Sequence, residues 1–266
     1  MKDTFECGQC FRFNDDGSGY VGVAMKKAVR FIQGDGCIYI KGATRDETEK
    51  IWLKYLSLDK DYSDVVKRFE TDEYIKKAAE FSRGIRILRQ EPCETAISFI
   101  ISSNNNIKRI KKIIEHFCSL FGREIIFEGK TFYTFPTGDE LAPVTKESLA
   151  PIKAGFRDKY IADAADKIVS GQTDFKKIAL LDTENARKEL MKIKGIGQKV
   201  ADCILLFGFD RGEAFPKDVW IKRVMNDIYG DGFDEKRFGK DAGIIQQWMF
   251  HYARMHSDIS EKAKTE

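Results

Sequence analysis

A tight turn bracketed by two glycines constrains this chain more than any other feature. The turn lies within residues 190–207, which read LMKIKGIGQKVADCILLF, and it separates two segments with helical patterns. Gly195 and Gly197 allow backbone conformations closed to other residues and a close backbone approach. The free amides of such a turn, together with those that open the next helix, suit an anion such as a phosphate. Apolar residues recur at helical spacing after the turn, so the second helix is predicted to pack against a core.

Lys199 lies in the first turn of that second helix, where a positive charge is unfavourable. The positive end of the helix dipole disfavours a cation there, and burial would disfavour it further. Both effects favour the neutral amine, which is the nucleophilic form of lysine. A solvated lysine beside the turn is the plainer alternative, because a Gly-x-Gly turn alone is a weak signal.

A second segment, FPKDVW at residues 215–220, contains a carboxylate suited to act with Lys199. A chain reversal is predicted at residues 210–212, and it would fold this segment back so that Asp218 lies near the lysine. A lysine beside a carboxylate supports imine chemistry at a sugar or carbonyl carbon, since the carboxylate can stabilise developing positive charge or relay protons.

The two segments together resemble the helix-hairpin-helix and Gly/Pro…Asp motifs of base-excision DNA glycosylases, and within that superfamily the 8-oxoguanine DNA glycosylase/lyase family. The resemblance implies that Lys199 is the Schiff-base nucleophile and Asp218 the essential aspartate. The implied reaction excises 8-oxoguanine opposite cytosine and then nicks the abasic site by β-elimination. The implied partner is double-stranded DNA containing an oxidised purine. No organic cofactor is required and no metal site is assigned, although carbonyls at Gly195 and Gly197 could hold a structural cation.

Four further residues match base-recognition positions of the family. Gly8 opens GQCFRF, which resembles the strand whose glycine carbonyl accepts the N7 hydrogen of the oxidised base. Normal guanine would set acceptor against acceptor there. Gln246 and Phe250, one helical turn apart on the last helix, would read the Watson–Crick edge and stack on one side of the base. Cys203 would lie against the other side. For Gln246 and Phe250, the plainer interpretation is a core aromatic residue beside a surface amide.

Four residues match positions that contact DNA around the opposite base, and a fifth, Trp220, departs from the family at a DNA-binding position. By resemblance, Asn104 and Arg109 in the run SSNNNIKRI fill the gap left by the extruded base and bond the orphaned cytosine, for which an amide and a guanidinium are suited. Helix termination explains the asparagines equally well. Phe156 and Arg157 match a Tyr-Arg pair, in which phenylalanine keeps stacking but lacks the hydroxyl. Trp220 stands where better-known members carry histidine, and its indole could donate one hydrogen bond.

The predicted fold class is α+β, a small N-terminal antiparallel sheet packed on a mostly helical helix-hairpin-helix bundle. Short β patterns separated by turn residues run from Gly8, with Gln9–Phe13 as the first strand, to about Lys41. The predicted domains are 1–45, a sheet domain shortened relative to the family, and 46–266, a helical glycosylase domain with the hairpin at about 185–207.

Helical patterns follow from about residue 44, starting with a capping box in the run TRDE. Pro92 suits the start of a helix whose apolar residues 96–101 indicate the central core helix. A short helical turn is predicted at 139–141, and a polar, frayed tail at 257–266.

Composition narrows the class of protein and its compartment. The chain has 42% hydrophobic and 33% charged residues, as globular proteins do, and no long apolar run, which predicts no membrane contact. The net charge of +3 is small, so a DNA surface must come from local clusters. Scattered cysteines and the lack of an apolar signal segment favour a reducing cytoplasm over export. The resemblance implies association with DNA, and a monomer is expected. No cysteine follows Cys203, which argues against the iron–sulfur site of the endonuclease III group.

Two alternative functions stay open at this point. One is a monofunctional alkylpurine glycosylase on the same scaffold, which would use Asp218 without a hairpin lysine. The other is a non-catalytic helix-hairpin-helix module that binds DNA. The second alternative would leave the matches at Gly8, Asn104, Gln246 and Phe250 as coincidences.

Overall fold

The computed structural model describes residues 1–256, and the polar tail predicted at 257–266 lies outside the described residues. A sheet of four strands precedes a mostly helical body that carries a two-stranded hairpin. The strands are β1 (Phe13–Asp15), β2 (Tyr20–Ala24), β3 (Lys27–Gln33), β4 (Ile38–Lys41), β5 (Glu124–Phe127) and β6 (Lys130–Tyr133). The predicted α+β class, with a small antiparallel sheet on a helical body, is confirmed.

The α-helices connect the two sheets and build the body. They are α1 (Lys2–Glu6), α2 (Arg45–Glu47), α3 (Leu53–Tyr55), α4 (Ser63–Arg68), α5 (Glu73–Phe81), α6 (Pro92–Ser102), α7 (Ile107–Phe121), α8 (Asp158–Val169), α9 (Phe175–Ala179), α10 (Thr183–Leu190), α11 (Gln198–Phe209), α12 (Val219–Val224) and α13 (Ala242–Met255). A π-helical turn joins α2 to α3, and another extends α12. The predicted capping box at the start of α2 is confirmed, as is the short helical turn near residue 139.

The N-terminal sheet is an antiparallel meander in the order β1-β2-β3-β4. Aromatic side chains fill the space between its inner face and the neighbouring helices. Phe5 of α1 stacks on Phe31 at 5.5 Å, and the fully buried Trp52 meets Phe31 edge-on at 5.5 Å. The sheet is therefore held by aromatic packing to helices on both sides of it in the chain. Trp52 lies beyond the domain boundary predicted near residue 45, yet it packs on the sheet. That boundary therefore stays a prediction.

The helical body is centred on α6 and α11, which lie against each other. Residues 93–101 of α6 are all buried, and Pro92 occupies its first turn, so the predicted central core helix is confirmed. Phe99 of α6 stacks on Phe207 of α11 with ring centroids 5.5 Å apart. The backbones approach closely at Gly208, where a Cβ atom would lie 3.1 Å from Cα of Pro92. The helix that carries Lys199 is thus anchored on the most buried element of the body.

The strand predicted at Gln9–Phe13 is wrong for residues 9–12, which form an irregular loop. Gln9 is fully buried, and its side-chain amide donates to the carbonyls of Thr4 and Arg86 at 2.9 and 2.8 Å. Those bonds stabilise the segment without strand pairing. Phe11 packs in the core of the helical body, whereas the aromatic residue that opens β1 packs under the sheet. The alternating pattern therefore belongs to a loop whose apolar side chains pack in two different cores.

The sequence analysis predicts neither α1 nor the β5–β6 hairpin. The hairpin runs from Glu124 to Tyr133. Arg30 of β3 bonds Glu128 in the hairpin turn at 2.7 and 2.9 Å, which attaches the hairpin to the N-terminal sheet. Among residues 1–256, no helix has the length and apolarity needed to cross a bilayer.

Candidate active site

A cleft of about 1190 Å³ is bounded by the N-terminal loop, the α6–α7 turn, and the segments that carry α11, α12 and α13. Basic side chains outnumber acidic ones on its wall. The basic residues are Lys108, Lys111, Lys199, Lys217, Lys222 and Arg254, and the acidic residues are Glu6 and Asp218. The chain thus has a local cluster of positive charge despite its small net charge, as a surface for a polyanion needs.

A recess of about 50 Å³ at the floor of the cleft gathers the predicted catalytic and base-recognition residues. It shares Gly8, Phe99, Lys199, Asp218 and Phe250 with the cleft, so the two spaces are continuous. Its full lining is Cys7, Gly8, Phe99, Lys199, Cys203, Phe207, Pro216, Asp218, Gln246, Gln247 and Phe250. All six residues predicted for chemistry or base recognition therefore lie together.

The glycine-bracketed turn lies between α10 and α11 and forms an exposed hairpin. Gly195 has a φ of +87°, and a Cβ atom there would lie 2.6 Å from the ring of Tyr160, so both the backbone and the packing require glycine. Gly197 has a φ of −92° and open space around it, so its backbone conformation and its packing within the protein do not by themselves require glycine. Asp163 of α8 anchors the hairpin by accepting from the amide of Lys194 at 2.9 Å.

The first amides of α11 are free of any side-chain cap. Gly197 is the N-cap residue and has no side chain, so these amides face the solvent beside the exposed hairpin. Amides of this kind, together with the helix dipole, attract an anion. The predicted phosphate-binding role of the hairpin stays a prediction with this geometry in its support.

Lys199 is the second residue of α11 and is half-buried. Its Nζ atom lies 5.4 Å from the ring centroid of Phe99, within the range of a cation–π contact. The amine faces the recess that also holds Cys203 and Asp218. Burial raises the pKa of the Cys203 thiol to about 11, which keeps this wall of the recess uncharged at neutral pH.

Asp218 begins α12 and is its N-cap residue. Its Oδ1 atom accepts from the amide of Ile221 at 2.9 Å, which fixes the carboxyl group at the entrance to the recess. Burial raises the pKa of Asp218, while the amides of Ile221 and Trp220 and the nearby charge of Lys199 oppose that rise. The two predicted catalytic residues are thus close enough to interact electrostatically, with the carboxyl group held in place by its own helix.

Gln246 is buried and has one of its two side-chain polar atoms paired. Its Nε2 atom donates to the carbonyl of Pro216 at 3.1 Å, whereas its buried Oε1 atom bonds no group of residues 1–256. An unpaired buried acceptor is costly, so this oxygen is available to a donor that enters the recess. Phe250 is half-buried beside it, and its ring edge lies 3.9 Å from the position of a Cβ atom on Gly8.

Arg157 is 2% exposed, so its side chain lies beneath the surface, whereas a side chain that contacts DNA directly would be exposed. Its guanidinium donates to the carbonyls of Ser103 at 2.9 Å and Asn104 at 2.7 Å, and stacks 4.3 Å from the ring of Phe156. These bonds hold the turn on which Asn104 has a φ of +50°. The arginine therefore positions this turn, and its predicted contact with the opposite base stays a prediction.

The other predicted DNA-contact residues lie around the same turn or on the cleft wall. Arg109 is exposed, does not line the cleft, and donates to the carbonyl of Lys153 at 2.9 Å. Phe156 is 53% exposed, as a stacking side chain needs to be. Trp220 lines the cleft beside Asp218, and the guanidinium of Arg223 lies 4.9 Å from its ring.

Sequence reasoning missed several residues that shape the site. Phe99 was predicted only as core, and Lys217 was not assigned although it lies beside Asp218 on the cleft wall. Gln247 was also missed, and the signal that could have found it is a pair of adjacent amides in an otherwise apolar helix. Among residues 1–256, no group of three or more His, Cys, Asp or Glu side chains could hold a metal ion. A cation held by hairpin carbonyls would not use such side chains and stays a prediction.

Comparison with known proteins agrees with this geometry. Residues 1–96 match the family described as 8-oxoguanine DNA glycosylase, N-terminal domain, and residues 97–238 match the HhH-GPD superfamily base excision DNA repair proteins. A probable N-glycosylase/DNA lyase of Methanothermobacter thermautotrophicus is 34% identical over 70% of this chain and 69% of its own length. The Arabidopsis thaliana N-glycosylase/DNA lyase OGG1 is 29% identical over 94% of this chain and 73% of its own length.

Among solved structures, the Clostridium acetobutylicum 8-oxoguanine glycosylase/lyase is similar over 96% of this chain and 92% of its own, with a TM-score of 0.91 and 37% identity. That structure contains double-stranded DNA with cytosine opposite 8-oxoguanine. The fold, the hairpin and the lysine–aspartate recess define a base-excision DNA repair protein of the helix-hairpin-helix class. Within that class, this chain belongs to the 8-oxoguanine DNA glycosylase/lyase family. The predicted family is confirmed, and DNA N-glycosylase with lyase activity is the enzyme class of that family.

Proposed function

We propose that this protein extrudes 8-oxoguanine paired with cytosine from double-stranded DNA, excises it, and then nicks the strand. The observation that carries the proposal is the recess that holds Lys199 and Asp218 together with Gly8, Gln246 and Phe250. An amine, a carboxylate, an unpaired amide oxygen and an aromatic ring are the groups that excision of a purine through an imine requires.

Base selection is assigned to the walls of the recess. The free Oε1 atom of Gln246 would accept from N–H donors on the Watson–Crick edge of the purine, which ends its isolation as a buried acceptor. The ring of Phe250 and the uncharged thiol of Cys203 would contact the two faces of the base. The carbonyl of Gly8 would accept the N7 hydrogen of the oxidised base, and guanine would be rejected because its N7 carries only a lone pair.

Excision is assigned to the lysine and the aspartate. The amine of Lys199 attacks C1′ of the deoxyribose as the bond from C1′ to N9 breaks, and the bonding electrons leave with the purine, which takes up a proton. The carboxylate of Asp218 stabilises the positive charge that develops on the sugar. The attached nitrogen gives up a proton, its lone pair forms a double bond to C1′ as the C1′–O4′ bond breaks, and O4′ takes up a proton, so that a Schiff base joins Nζ to C1′.

The strand is nicked from this Schiff base. Removal of a proton from C2′ lets electrons move toward the imine, and the bond from C3′ to the phosphate oxygen breaks. Water then releases the sugar fragment from Lys199. No organic cofactor takes part, since the imine supplies the electron sink that elimination requires.

Binding of the duplex is assigned to the hairpin and the α6–α7 turn. The free amides at the start of α11 would hold a backbone phosphate, and the basic side chains of the cleft would neutralise others. Asn104, Arg109 and Phe156 would meet the space left by the extruded base and the cytosine opposite. Extrusion of the base from the duplex costs free energy, and these contacts would offset that cost.

Borohydride trapping tests the proposal most directly. With protein in excess over an 8-oxoguanine:cytosine duplex, wild type should form a covalent protein–DNA adduct and Lys199→Ala should form none. Lys217→Ala is the matched control, because this second amine also lines the cleft and stands beside Asp218. At a protein concentration that saturates the duplex, Lys217→Ala should still be trapped. Equal trapping of wild type and Lys199→Ala would remove Lys199 from the mechanism.

The same experiment separates the two alternatives. An alkylpurine glycosylase would release methylated purines without forming an adduct, and a binding module would retain duplexes without releasing any base. Duplexes that carry 8-oxoguanine opposite each of the four bases should be cleaved fastest with cytosine. Failure of wild type to release 8-oxoguanine from any of them would end the proposal.

A further inference from the structure

Two adjacent glutamines on α13 are buried, and the proposed function assigns a role to only the first of them. Gln246 and Gln247 are 4% and 3% exposed, in a helix whose other buried residues are mostly apolar. Buried amides are costly unless they are paired, so their bonds decide where the two side chains lie. Gln246 donates to the carbonyl of Pro216, two residues before Asp218. Gln247 donates at 3.2 Å to the carbonyl of Cys7, which is the residue immediately before Gly8.

The bond from Gln247 acts on the peptide group that leads into Gly8. The carbonyl of Cys7 and the amide of Gly8 belong to one planar unit, so a donor that fixes the carbonyl also fixes the orientation of that plane. Cys7 is fully buried, and burial raises the pKa of its thiol to about 12, so the thiol brings no charge to this site. The position at which the chain enters Gly8 is therefore set from α13.

Gly8 needs such restraints because glycine has the greatest backbone freedom of any residue. Its φ of +84° is one conformation among several that are open to it. On the far side of Gly8, the carbonyl of Gln9 accepts from the side chain of Gln90 at 2.7 Å. The side chain of Gln9 in turn accepts from the amide of Leu88 at 2.9 Å. The exit from Gly8 is thus held by the loop before α6, whereas the carbonyl at its entry is held by a side chain of α13.

We infer that Gln247 is a positioning residue for base selection. It holds the Cys7–Gly8 peptide against α13, so that the carbonyl of Gly8 and the amide oxygen of Gln246 face the extruded base as one rigid unit. The inference rests on the proposed function, in which Gly8 contacts the base. Gln247 does not act on the sugar, so its influence is confined to the step in which a base is present.

Two reactions therefore separate this role from a merely structural one, since a general loss of structure would slow both base release and cleavage of an abasic site. Gln247→Met keeps a similar volume and removes the donor. Under single-turnover conditions, release of 8-oxoguanine should slow about 10-fold, the factor expected when one hydrogen bond that supports a contact is lost. Cleavage of a preformed abasic site in the same duplex should change less than about 2-fold, because that reaction needs Lys199 and Asp218 but no base.

Ser82→Ala is the matched control. Ser82 is fully buried, and its hydroxyl donates to the carbonyl of Trp248, the next residue along α13, away from the recess. This variant also removes one buried bond to α13, and both of its rates should stay within about 2-fold of wild type. Equal slowing of both reactions in Gln247→Met, or slowing of neither, would overturn the inference.

A second variant keeps the test decisive if Gln247→Met does not fold. Gln247→Asn retains the amide but is one methylene shorter, so its donor falls short of the carbonyl of Cys7. The same selective loss of base release is expected, and the same outcomes would overturn the inference. If wild type releases no 8-oxoguanine at all, the proposed function fails instead. That result is distinguishable, because it concerns wild type alone.

Discussion

The two hairpin glycines have different structural requirements, and substituting each by alanine should separate stability from DNA binding. At Gly195, alanine would have to adopt a φ of +87° and place its Cβ atom 2.6 Å from the ring of Tyr160. At Gly197, the φ of −92° is open to alanine and no atom lies within 4 Å of the added carbon. That carbon would instead stand in the space in front of the free amides of α11.

The expected loss at Gly195 follows from two costs. A left-handed conformation costs an L-residue about 1–2 kcal/mol. Overpacking against a ring held in the body costs about 1–3 kcal/mol, so Gly195→Ala should lose about 2–5 kcal/mol of unfolding free energy. At about 2–4 °C per kcal/mol for a chain of this size, its Tm should fall by about 4 °C at the least. Gly197→Ala should stay within about 1 kcal/mol of wild type, because a smaller loss of chain entropy offsets a weaker N-cap.

Thermal unfolding followed by circular dichroism measures the first effect, and fluorescence anisotropy with an undamaged duplex at fixed salt measures the second. Gly197→Ala should bind the duplex about 10-fold more weakly with a Tm close to that of wild type, since its methyl group displaces a phosphate from the amides. A Gly195→Ala variant as stable as wild type would refute the argument from φ and Tyr160. Wild-type duplex affinity in Gly197→Ala would refute the assignment of the amides to a phosphate.

Four further predictions concern the carboxylate and the opposite base. Base release should slow as the pH falls through the raised pKa of Asp218, because burial favours its protonated form whereas the chemistry needs the carboxylate; a pH–rate profile checks this. Asp218→Asn should slow single-turnover base release about 100-fold or more without lowering Tm. Asparagine caps a helix as well as aspartate, and a carboxyl whose pKa is raised in the fold destabilises it once ionised. Arg109→Ala should reduce the preference for cytosine opposite the lesion about 5-fold or more, and an unchanged ranking of the four opposite bases would remove Arg109 from that contact. Arg157→Lys should reduce the same preference, because an ammonium cannot make the forked bonds to Ser103 and Asn104, and unaltered selectivity would contradict its positioning role.

The elements that the sequence predicts well are those specified locally. Pro92 and the apolar run after it suffice for α6, and the glycines with the periodic apolar residues suffice for the hairpin and α11. Asp218 was predicted to lie near Lys199 because a short reversal joins their segments, and the reversal occurs where Asp210 takes a φ of +55°. Each of these features depends on residues within a few turns of one another, which is the range over which patterns are informative.

What the sequence does not predict depends on bonds between distant residues. Gln247 and Cys7 are 240 positions apart, and no pattern near either residue indicates that they meet. Arg157 shows the same limit in another form. The resemblance predicts that it contacts DNA beside the opposite base, yet its side chain is buried, where bonds to three carbonyl groups compensate its charge. Residues 9–12 alternate like a strand and form a loop, because two cores on opposite sides of it take the apolar side chains.

The nucleophile and the hairpin amides proposed to bind a phosphate belong to one rigid element, whereas Gly8, Gln246 and Phe250, which are proposed to recognise the base, belong to others. Lys199 follows the free amides of the hairpin by less than one helical turn, and α11 is packed along the buried α6. A displacement of this element must therefore change duplex affinity and attack on the sugar together. Gly8 and Gln246 reach the recess from the N-terminal loop and α13, which are joined by Gln247. A displacement of these elements acts only while a base is present. The abasic-site reaction therefore distinguishes damage to one half of the site from damage to the other.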